Sequence, residues 1–140
     1  MAIIYQSDDI KFPKIKRREI SNWIKLVTTS YNKKIGDIAY IFCSDKKILE
    51  VNMKYLNHDY YTDIITFDYS EGDMISGDLF ISLDTVHSNA EKFNTDYTKE
   101  LCRVIIHGIL HLCGFNDKSA EDEKVMREKE DEALKQLFRA

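Results

Sequence analysis

The sequence has 140 residues, of which 44% are hydrophobic and 31% charged, which is the composition of a globular protein forming one domain over residues 1–140. No apolar run approaches the roughly 20 residues of a membrane span, and the N-terminal segment has acids where a signal peptide needs a basic start, so we expect a cytoplasmic protein with no membrane partner. The net charge of −4 does not suggest a nucleic-acid binder, and we expect no DNA partner.

The first half of the sequence alternates strands with helices. Residues 2–6 are rich in β-branched side chains and predict a strand, and residues 37–43 predict a second one. Residues 14–31 predict a helix between them, because apolar side chains recur on one face: Ile20, Trp23, Ile24, Val27 and Tyr31. Ser44 and Asp45 are good capping residues, so a second helix is expected from there to about Leu56.

The second half begins with two strands and ends with three helices. Residues 63–69 and 77–83 are apolar segments bounded by polar loops, as strands are. Asp84 is expected to cap a helix that runs to about Phe93. A longer apolar helix up to Leu112 then carries two histidines, and Ser119 opens a last helix with an acidic first turn, which suits the helix dipole.

This order of elements predicts an α+β fold. The loop of seven residues, 70–76, makes the third and fourth strands antiparallel neighbours, whereas the other strands connect through helices and can pair in parallel. We therefore expect a small mixed four-stranded sheet packed with about five helices. The histidine-bearing helix is apolar nearly all round, so we place it at the centre.

The three cysteines are odd in number and have no CxxC spacing. Cys43, Cys102 and Cys113 each lie in an apolar segment, so we expect reduced thiols in the core. Cys113 falls about 200° round a helix from His111, which makes it a poor metal ligand there.

The segment HGILHLCGFND, residues 107–117, contains a candidate metal site. His107 and His111 are four residues apart on a helix, so both side chains leave from one face and can share an ion. Gly114 can end the helix with a positive φ, and Asp117 follows closely enough for its carboxylate to return toward the histidines. Two imidazoles and a carboxylate suit zinc, with one position left open for water. The alternative is a pair of ordinary surface or core histidines.

Four cationic residues cluster near the start of the first predicted helix: Lys14, Lys16, Arg17 and Arg18. The first 60 residues carry 11 Lys and Arg against 7 Asp and Glu, whereas residues 61–140 carry 9 against 17. Such a cluster can supply phosphate contacts on an otherwise acidic protein. A solvated helix start is the simpler interpretation, although cations there oppose the helix dipole, which favours a role in binding.

Three blocks of the sequence resemble the YbeY-type rRNA maturation factors, which are single-strand-specific metallo-endoribonucleases of bacteria. Residues 107–117 are similar to that family's pattern H-G-x-L-H-L-x-G-Y-D-H, and Met126 follows nine residues later. Residues 52–67 match N-x-x-Y-x-x-x-D-x-x-T-D-I-I-T-F, and residues 77–82 read GDLFIS. The blocks occur in the family's order, and the resemblance covers nearly the whole chain.

The resemblance implies one Zn²⁺ per chain, with His107 and His111 as its first two ligands. The family's third ligand is usually histidine, and Asp117 stands at that spacing here. Aspartate is a competent zinc ligand, but its charge makes the metal centre less positive than three histidines would, so bound water is acidified less. A carboxylate also admits other divalent metals such as Mn²⁺ more readily.

A second departure from the family lies at Leu56, where an arginine important for activity is common. His58 and Lys54 are the nearest cationic candidates to stabilise charge on a scissile phosphate in its place, and an exposed turn histidine is the alternative for His58. Asp63 is interpreted first as a strand-start residue and second as an acid of the site. Three tyrosines of this block are candidates for stacking on RNA bases or for core packing: Tyr55, Tyr60 and Tyr61.

The leading hypothesis is metal-assisted hydrolysis of single-stranded RNA, with zinc polarising a phosphoryl oxygen and supplying hydroxide. By resemblance, the target is the 3′ end of 16S rRNA on the small ribosomal subunit, with late ribosome quality control as the setting. One rival is a non-catalytic, RNA-binding ribosome-assembly factor, whose structural zinc would need a fourth protein ligand. The other rival is a metallopeptidase, which would need a glutamate base after the first histidine, where this sequence has Gly108.

Overall fold

A mixed sheet organises the protein in a computed structural model, which describes residues 2–58 and 62–138. Its strands are β1 (Ile3–Ser7), β2 (Lys34–Cys43), β3 (Ile64–Asp68) and β4 (Met74–Ser82), in the spatial order β1-β2-β4-β3. β2 pairs in parallel with β1 and β4, whereas β3 pairs antiparallel with β4. The predicted mixed four-stranded sheet is therefore confirmed, and β3 is one of its edges.

The described residues form five helices: α1 (Arg17–Ser30), α2 (Asp45–Leu56), α3 (Leu83–Lys92), α4 (Tyr97–Leu112) and α5 (Ala120–Leu137). α1 begins at Arg17, later than residue 14, where the sequence predicted its start. Ile10, Phe12 and Ile15 pack against the core just before it, so this segment runs along the core instead of joining the helix. None of the helices in the described segments is long and apolar enough to cross a membrane.

The start of α3 corrects a second prediction. Ser82, not Asp84, caps this helix, because its hydroxyl accepts a hydrogen bond from the backbone N–H of Thr85 at 3.2 Å. The Asp84 carboxylate accepts from the backbone N–H of Asp45 at 2.9 Å instead, and so ties α3 to the start of α2. The predicted caps of α2 and α5, Ser44 and Ser119, are confirmed.

Two unequal cores lie on the two faces of the sheet. In the larger core, α1 and α4 pack against one face, and α5 packs on α4 and α1. The smaller one lies under α2 and consists of Cys43, Ile48, Val51 and Ile65. α4 contacts α1, α3, α5, β3 and β4, so the histidine-bearing helix is central, as predicted.

The cysteines are free thiols, as expected. Cys43 and Cys102 are buried, whereas Cys113 is only half-buried. Burial raises their pKa values, to about 12 for Cys43 and Cys102 and to about 11 for Cys113. Little reactive thiolate therefore forms at neutral pH.

Gly108 allows α4 to lie close against the sheet. A methyl group at this position would collide with the side chain of Leu79 and approach Ile64 Cδ1 to 2.9 Å. The position where a metallopeptidase carries its glutamate therefore faces the sheet and has no room for a side chain. The histidines on either side of it emerge beyond the β3 edge, where a cavity forms.

Candidate metal centre

A tight turn after α4 returns the chain toward the histidines. Gly114 adopts a φ of 107°, in the left-handed region that favours glycine. The backbone N–H of Phe115 donates to the carbonyl of Leu110 at 3.0 Å, which closes the helix end in the manner of a Schellman turn. The Phe115 ring packs edge-on against Tyr31 with 5.1 Å between centroids. This anchored turn sets the direction from which Asp117 approaches α4.

The structure brings together the three residues that the sequence singled out. Asp117 Oδ2 lies 3.4 Å from His107 Nε2, and Asp117 Oδ1 lies 3.4 Å from His111 Nε2. One ligand atom from each residue lies within 4.8 Å of the other two. The two imidazole rings are 5.2 Å apart between centroids. Both Nε2 atoms therefore face the same carboxylate.

His107 is held from behind by Glu130 of α5, which the sequence-based prediction missed. His107 Nδ1 lies 2.7 Å from Glu130 Oε2, and Glu130 is only 5% exposed. A carboxylate in this position orients the ring and keeps the proton on Nδ1, which leaves the Nε2 lone pair for a metal ion.

The sequence contained a signal for Glu130. Met126, Ala133 and Leu134 form the buried stripe of α5. Glu130 comes four residues after Met126 and three before Ala133, so it falls on the same face. A carboxylate on an apolar stripe needs a buried partner, because burial without one is costly.

Arg103 completes the support of Glu130. Its guanidinium donates to Glu130 Oε1 at 2.9 Å and to Asp131 Oδ1 at 2.7 Å. Both oxygens of the buried Glu130 carboxylate therefore have partners, and its charge is balanced by a cation. The resulting chain runs from α5 through His107 to the point where the three ligand atoms meet.

The surroundings of the site shift the pKa values of two residues. Burial lowers the pKa of His107, but the hydrogen bond and charge of Glu130, with the charges of Asp63 and Asp117, raise it overall. Burial raises the pKa of Asp63, and the facing His107 offsets this only in part. The surroundings therefore favour a positive charge at His107 and hold the carboxyl group of Asp63 in a poorly solvated position.

A cavity of about 310 Å³ opens beside the histidines. Both catalytic candidates from the sequence, His58 and Asp63, line it together with the three candidate ligand residues. Leu56 also lines it, at the position where the family commonly has arginine. Lys54 is not among the lining residues that are described, and its ammonium lies 5.3 Å from the centre of the Tyr55 ring.

Tyr55 is the one tyrosine candidate for base stacking that lies in the described segments, and it is not among the lining residues of this cavity. Tyr55 is exposed on α2 and packs edge-on against Phe67 with 5.8 Å between centroids. Phe67 belongs to the packing of the smaller core, on the opposite face of the sheet from α4. Tyr60 and Tyr61 lie outside the described residues.

A second, more open cavity of about 490 Å³ lies on the α5 side of the same histidine. His107 and Asp117 line it together with two cations of α5, Lys124 and Arg127, and two acids of the same helix, Glu123 and Glu130. Both cations come from a strongly acidic segment, so the sequence does not indicate a cationic site there. They are cations that share a cavity with candidate metal ligands.

The basic cluster near the start of α1 lies elsewhere. Lys14 and Lys16 border a groove with Thr98 and Cys102 in the first turns of α4. Thr98 precedes His111 by 13 residues, which is about 20 Å along a helix. All four residues of the cluster are exposed: Lys14, Lys16, Arg17 and Arg18. Their predicted RNA contacts would lie apart from the histidine cavity.

The donor set fits a divalent metal ion. Two imidazole nitrogens and a carboxylate oxygen converge, and the second nitrogen of one imidazole is held by a buried carboxylate, as is usual for metal-binding histidines. Three ligand groups beside an open cavity leave room for water or substrate, which is the arrangement of catalytic zinc sites.

Comparison with known sequences gives a consistent result. The family model described as "Endoribonuclease YbeY" matches residues 3–138. A Parabacteroides distasonis protein named endoribonuclease YbeY is 66% identical over 134 residues, covering 96% of this chain and 94% of that protein. The Bacteroides thetaiotaomicron protein of the same name is 63% identical over 96% of this chain and 98% of its own length. A Porphyromonas gingivalis protein so named is 53% identical over 96% of this chain and 89% of its own length.

The fold also resembles a solved structure. The solution structure of a Thermotoga maritima protein superposes with a TM-score of 0.70 at 25% sequence identity, covering 97% of this chain and 89% of the other. The sheet and helices described above are therefore shared with a protein whose sequence has diverged widely from this one.

Proposed function

Because this chain belongs to the endoribonuclease YbeY family, we propose that it is a metal-dependent endoribonuclease specific for single-stranded RNA. Its proposed substrate is the 3′ end of 16S rRNA on the small ribosomal subunit, with a further role in late ribosome quality control in the cytoplasm. The description of the family as an endoribonuclease supports the nuclease activity. We further propose the metal dependence, the RNA substrate and the cellular setting.

One observation supports the metal dependence most strongly. His107, His111 and Asp117 place their ligand atoms within 4.8 Å of one another, and the buried Glu130 fixes the first of these side chains. Burying a carboxylate costs free energy unless the carboxylate is paired. A buried carboxylate that holds the second ring nitrogen is typical of metal-binding histidines and not of ordinary surface ones. When bound here, a Zn²⁺ ion would polarise a phosphoryl oxygen and acidify a water molecule.

The chain's own residues have separate tasks in this proposal. His107, His111 and Asp117 bind the ion, and Glu130 orients His107 and keeps its proton on Nδ1. Asp63 lines the cavity with a raised pKa, so it is the candidate to exchange a proton with the reacting groups.

His58 is the candidate for the task of the arginine that Leu56 replaces. It lines the same cavity, whereas Lys54 does not appear among the described lining residues. An imidazole N–H beside the scissile phosphate would donate to the oxygen on which charge develops. Lys124 and Arg127 approach the ligands from the α5 side and would hold the phosphate of a neighbouring nucleotide.

Asp117 is proposed to alter which metal serves the enzyme. A carboxylate in place of the family's usual histidine adds a hard, charged ligand, and such ligands favour metals like Mn²⁺ more than imidazole does. We therefore propose Zn²⁺ or another divalent ion at one site per chain. Activity with Mn²⁺ is expected to fall in Asp117→His relative to activity with Zn²⁺.

The test uses purified protein, loaded with Zn²⁺ or Mn²⁺ or treated with a chelator. Single-stranded and double-stranded fragments of 16S rRNA that span its 3′ end are incubated with each form, and the product ends are mapped. Metal-dependent cuts in the single-stranded fragment alone are the expected result. Equal cutting of both fragments, or cutting that survives in a metal-free double variant His107→Ala with His111→Ala, would contradict the proposal.

The rival with a purely structural metal makes a different prediction. X-ray absorption of the loaded protein would show four protein ligands for a structural zinc and three for a catalytic one. The described residues include one group of three candidate ligands, which is the count expected for the nuclease. A fourth protein ligand would favour the non-catalytic ribosome-assembly factor.

A further inference from the structure

The ladder between β3 and β4 determines which backbone groups of β3 are already used. The backbone N–H of Ser82 donates to the carbonyl of Asp63, and the N–H of Tyr69 donates to the carbonyl of Ser76, each at 2.9 Å. In an antiparallel pair, hydrogen-bonded residues alternate with residues that do not bond to the partner strand. The odd-numbered residues of β3 therefore bond to β4.

The even-numbered residues point their backbone groups the other way. The N–H and C=O of Ile64, Thr66 and Asp68 face the free edge of β3, where the described sheet has no further strand. All three residues line the cavity beside the histidines. Thr62 Oγ1 lies 3.4 Å from the carbonyl of Ile64. Within the described residues, no hydrogen bond reaches the outward N–H and C=O of Thr66.

The charges along this edge disfavour phosphates and leave room for a neutral group. Asp63, Asp68 and Asp117 line the cavity, and no lysine or arginine is among its described lining residues. Away from the metal ligands and His58, phosphates lying along the edge itself would be repelled by Asp63 and Asp68. A neutral polar group would not be repelled, and Leu56 and Leu112 supply apolar surface for its flat faces.

We propose that Thr66 binds the Watson–Crick edge of an unpaired base of the RNA substrate through its backbone N–H and C=O. In an extended strand the two groups of one residue point to the same side, so they present a donor beside an acceptor. Every RNA base has a donor beside an acceptor on its Watson–Crick edge, and only in unpaired RNA are these groups free. The edge of β3 therefore selects single strands without selecting a sequence. This inference rests on the proposed nuclease function.

The test separates the backbone donor from the side chain. Thr66→Pro removes the outward N–H, and proline is tolerated on an edge strand where that N–H faces away from the partner. Thr66→Ala is the matched control, because it shortens the side chain and keeps the N–H. Binding of a short, fluorescent, uridine-rich RNA is measured by anisotropy in a chelator, which prevents metal-dependent cleavage. A second RNA carries N3-methyluridine, which lacks the donor for the Thr66 carbonyl.

The inference is decided by whether the effects of Thr66→Pro and of base methylation on binding depend on each other. We expect Thr66→Pro, or base methylation, to weaken binding by about fivefold, as the loss of a hydrogen bond does. Combined, the two changes should weaken binding little more than one alone, whereas Thr66→Ala should respond to methylation as the wild type does. If wild-type protein binds both RNAs equally, the inference is wrong, and this arm does not depend on how well Thr66→Pro folds.

A parallel cleavage assay keeps the two proposals apart. Wild-type protein loaded with Mn²⁺ or Zn²⁺ is incubated with the unmodified RNA. Cleavage without the expected coupling would contradict base binding at Thr66 and would still support the nuclease function. Coupling without cleavage by any metal-loaded form would remove the nuclease function and leave the base-binding edge.

Discussion

Two groups of cations in this protein differ in how they appear in the sequence and in where they lie. Lys14, Lys16, Arg17 and Arg18 stand almost side by side in the chain, yet the groove beside Lys14 and Lys16 is formed with the first turns of α4. Lys124 and Arg127 are scattered in an acidic segment, yet they share a cavity with His107 and Asp117. Charge density along a sequence therefore indicates little about which cations reach a site, because helix packing decides their neighbours.

The largest expected effect is that of removing the candidate metal ligands, and the effects of the two cation groups can be compared with it. Replacing His107 and His111 together with alanine removes both imidazole ligands, so bound metal should be lost. The rate of RNA cleavage should then fall about a thousandfold or more, since metal stabilisation of the transition state is worth several kcal/mol. Metal content is measured by atomic absorption and rate by product mapping. Cleavage at the wild-type rate in the metal-free variant would contradict the role of both histidines.

A change at Glu130 should have the next largest effect, since Glu130 links α5 to the metal ligands. Glu130→Gln keeps the shape of the side chain but removes the charge that orients His107, so we expect affinity for Zn²⁺ to fall about 10- to 100-fold. Competition with a fluorescent chelator measures it. Glu128→Gln, an exposed carboxylate on the same helix, is the control and should leave the affinity unchanged. Equal behaviour of the two variants would show that the support of His107 by Glu130 does not affect metal binding.

Removing each cationic group tests the comparison directly. Lys124→Gln with Arg127→Gln should weaken RNA binding and lower the slope of log affinity against log salt by roughly 1.4, the value for two lost phosphate contacts on a single strand. Glutamine at Lys14, Lys16, Arg17 and Arg18 should change the slope less. Anisotropy titrations at several salt concentrations measure both. A larger change from the N-terminal group would reverse the comparison and support its predicted RNA contacts.

The smallest effect concerns Asp63, whose carboxyl group lines the cavity beside the histidines. Because burial raises the pKa of Asp63 in the folded state, its ionised form opposes folding at a pH above that raised value. Asp63→Asn should therefore raise the melting temperature of the metal-free protein at neutral pH. The difference should vanish below about pH 4, where the carboxyl is protonated in the unfolded chain as well. Melting curves across this range check the sign, and a lower melting temperature at neutral pH would contradict it.

The fold was largely predictable because its signals are local. Apolar periodicity, together with capping residues such as Ser44 and Ser119, located the helices, and the predicted loop of residues 70–76 correctly paired β3 with β4, although β4 already begins at Met74. The errors lie at boundaries. Asp84 looked like a cap, but Ser82 has that role because the Asp84 carboxylate reaches the start of α2. Which of two neighbouring polar residues caps a helix depends on partners far away in the chain.

The candidate site was predictable only in part. The spacing of His107 and His111 is a property of one helix, and Asp117 follows His111 by six residues, just after the turn that ends this helix, so local geometry was sufficient to propose all three. Glu130 was not found, since its contact with His107 joins two helices. The same holds for Arg103, which bonds to Glu130 and Asp131 across that interface.

By itself, the sequence determined the order and type of the elements, the central position of the histidine helix, the identity of the three candidate ligands and the family resemblance. These follow from helix and strand periodicity and from motifs whose residues lie close together in the chain. Only the tertiary structure decided that Glu130 supports His107, that Lys124 and Arg127 rather than the N-terminal cluster share a cavity with the ligands, and that the free edge of β3 lines the cavity. Each of these depends on how separate elements pack against one another, and packing is set by the shapes of many side chains at once.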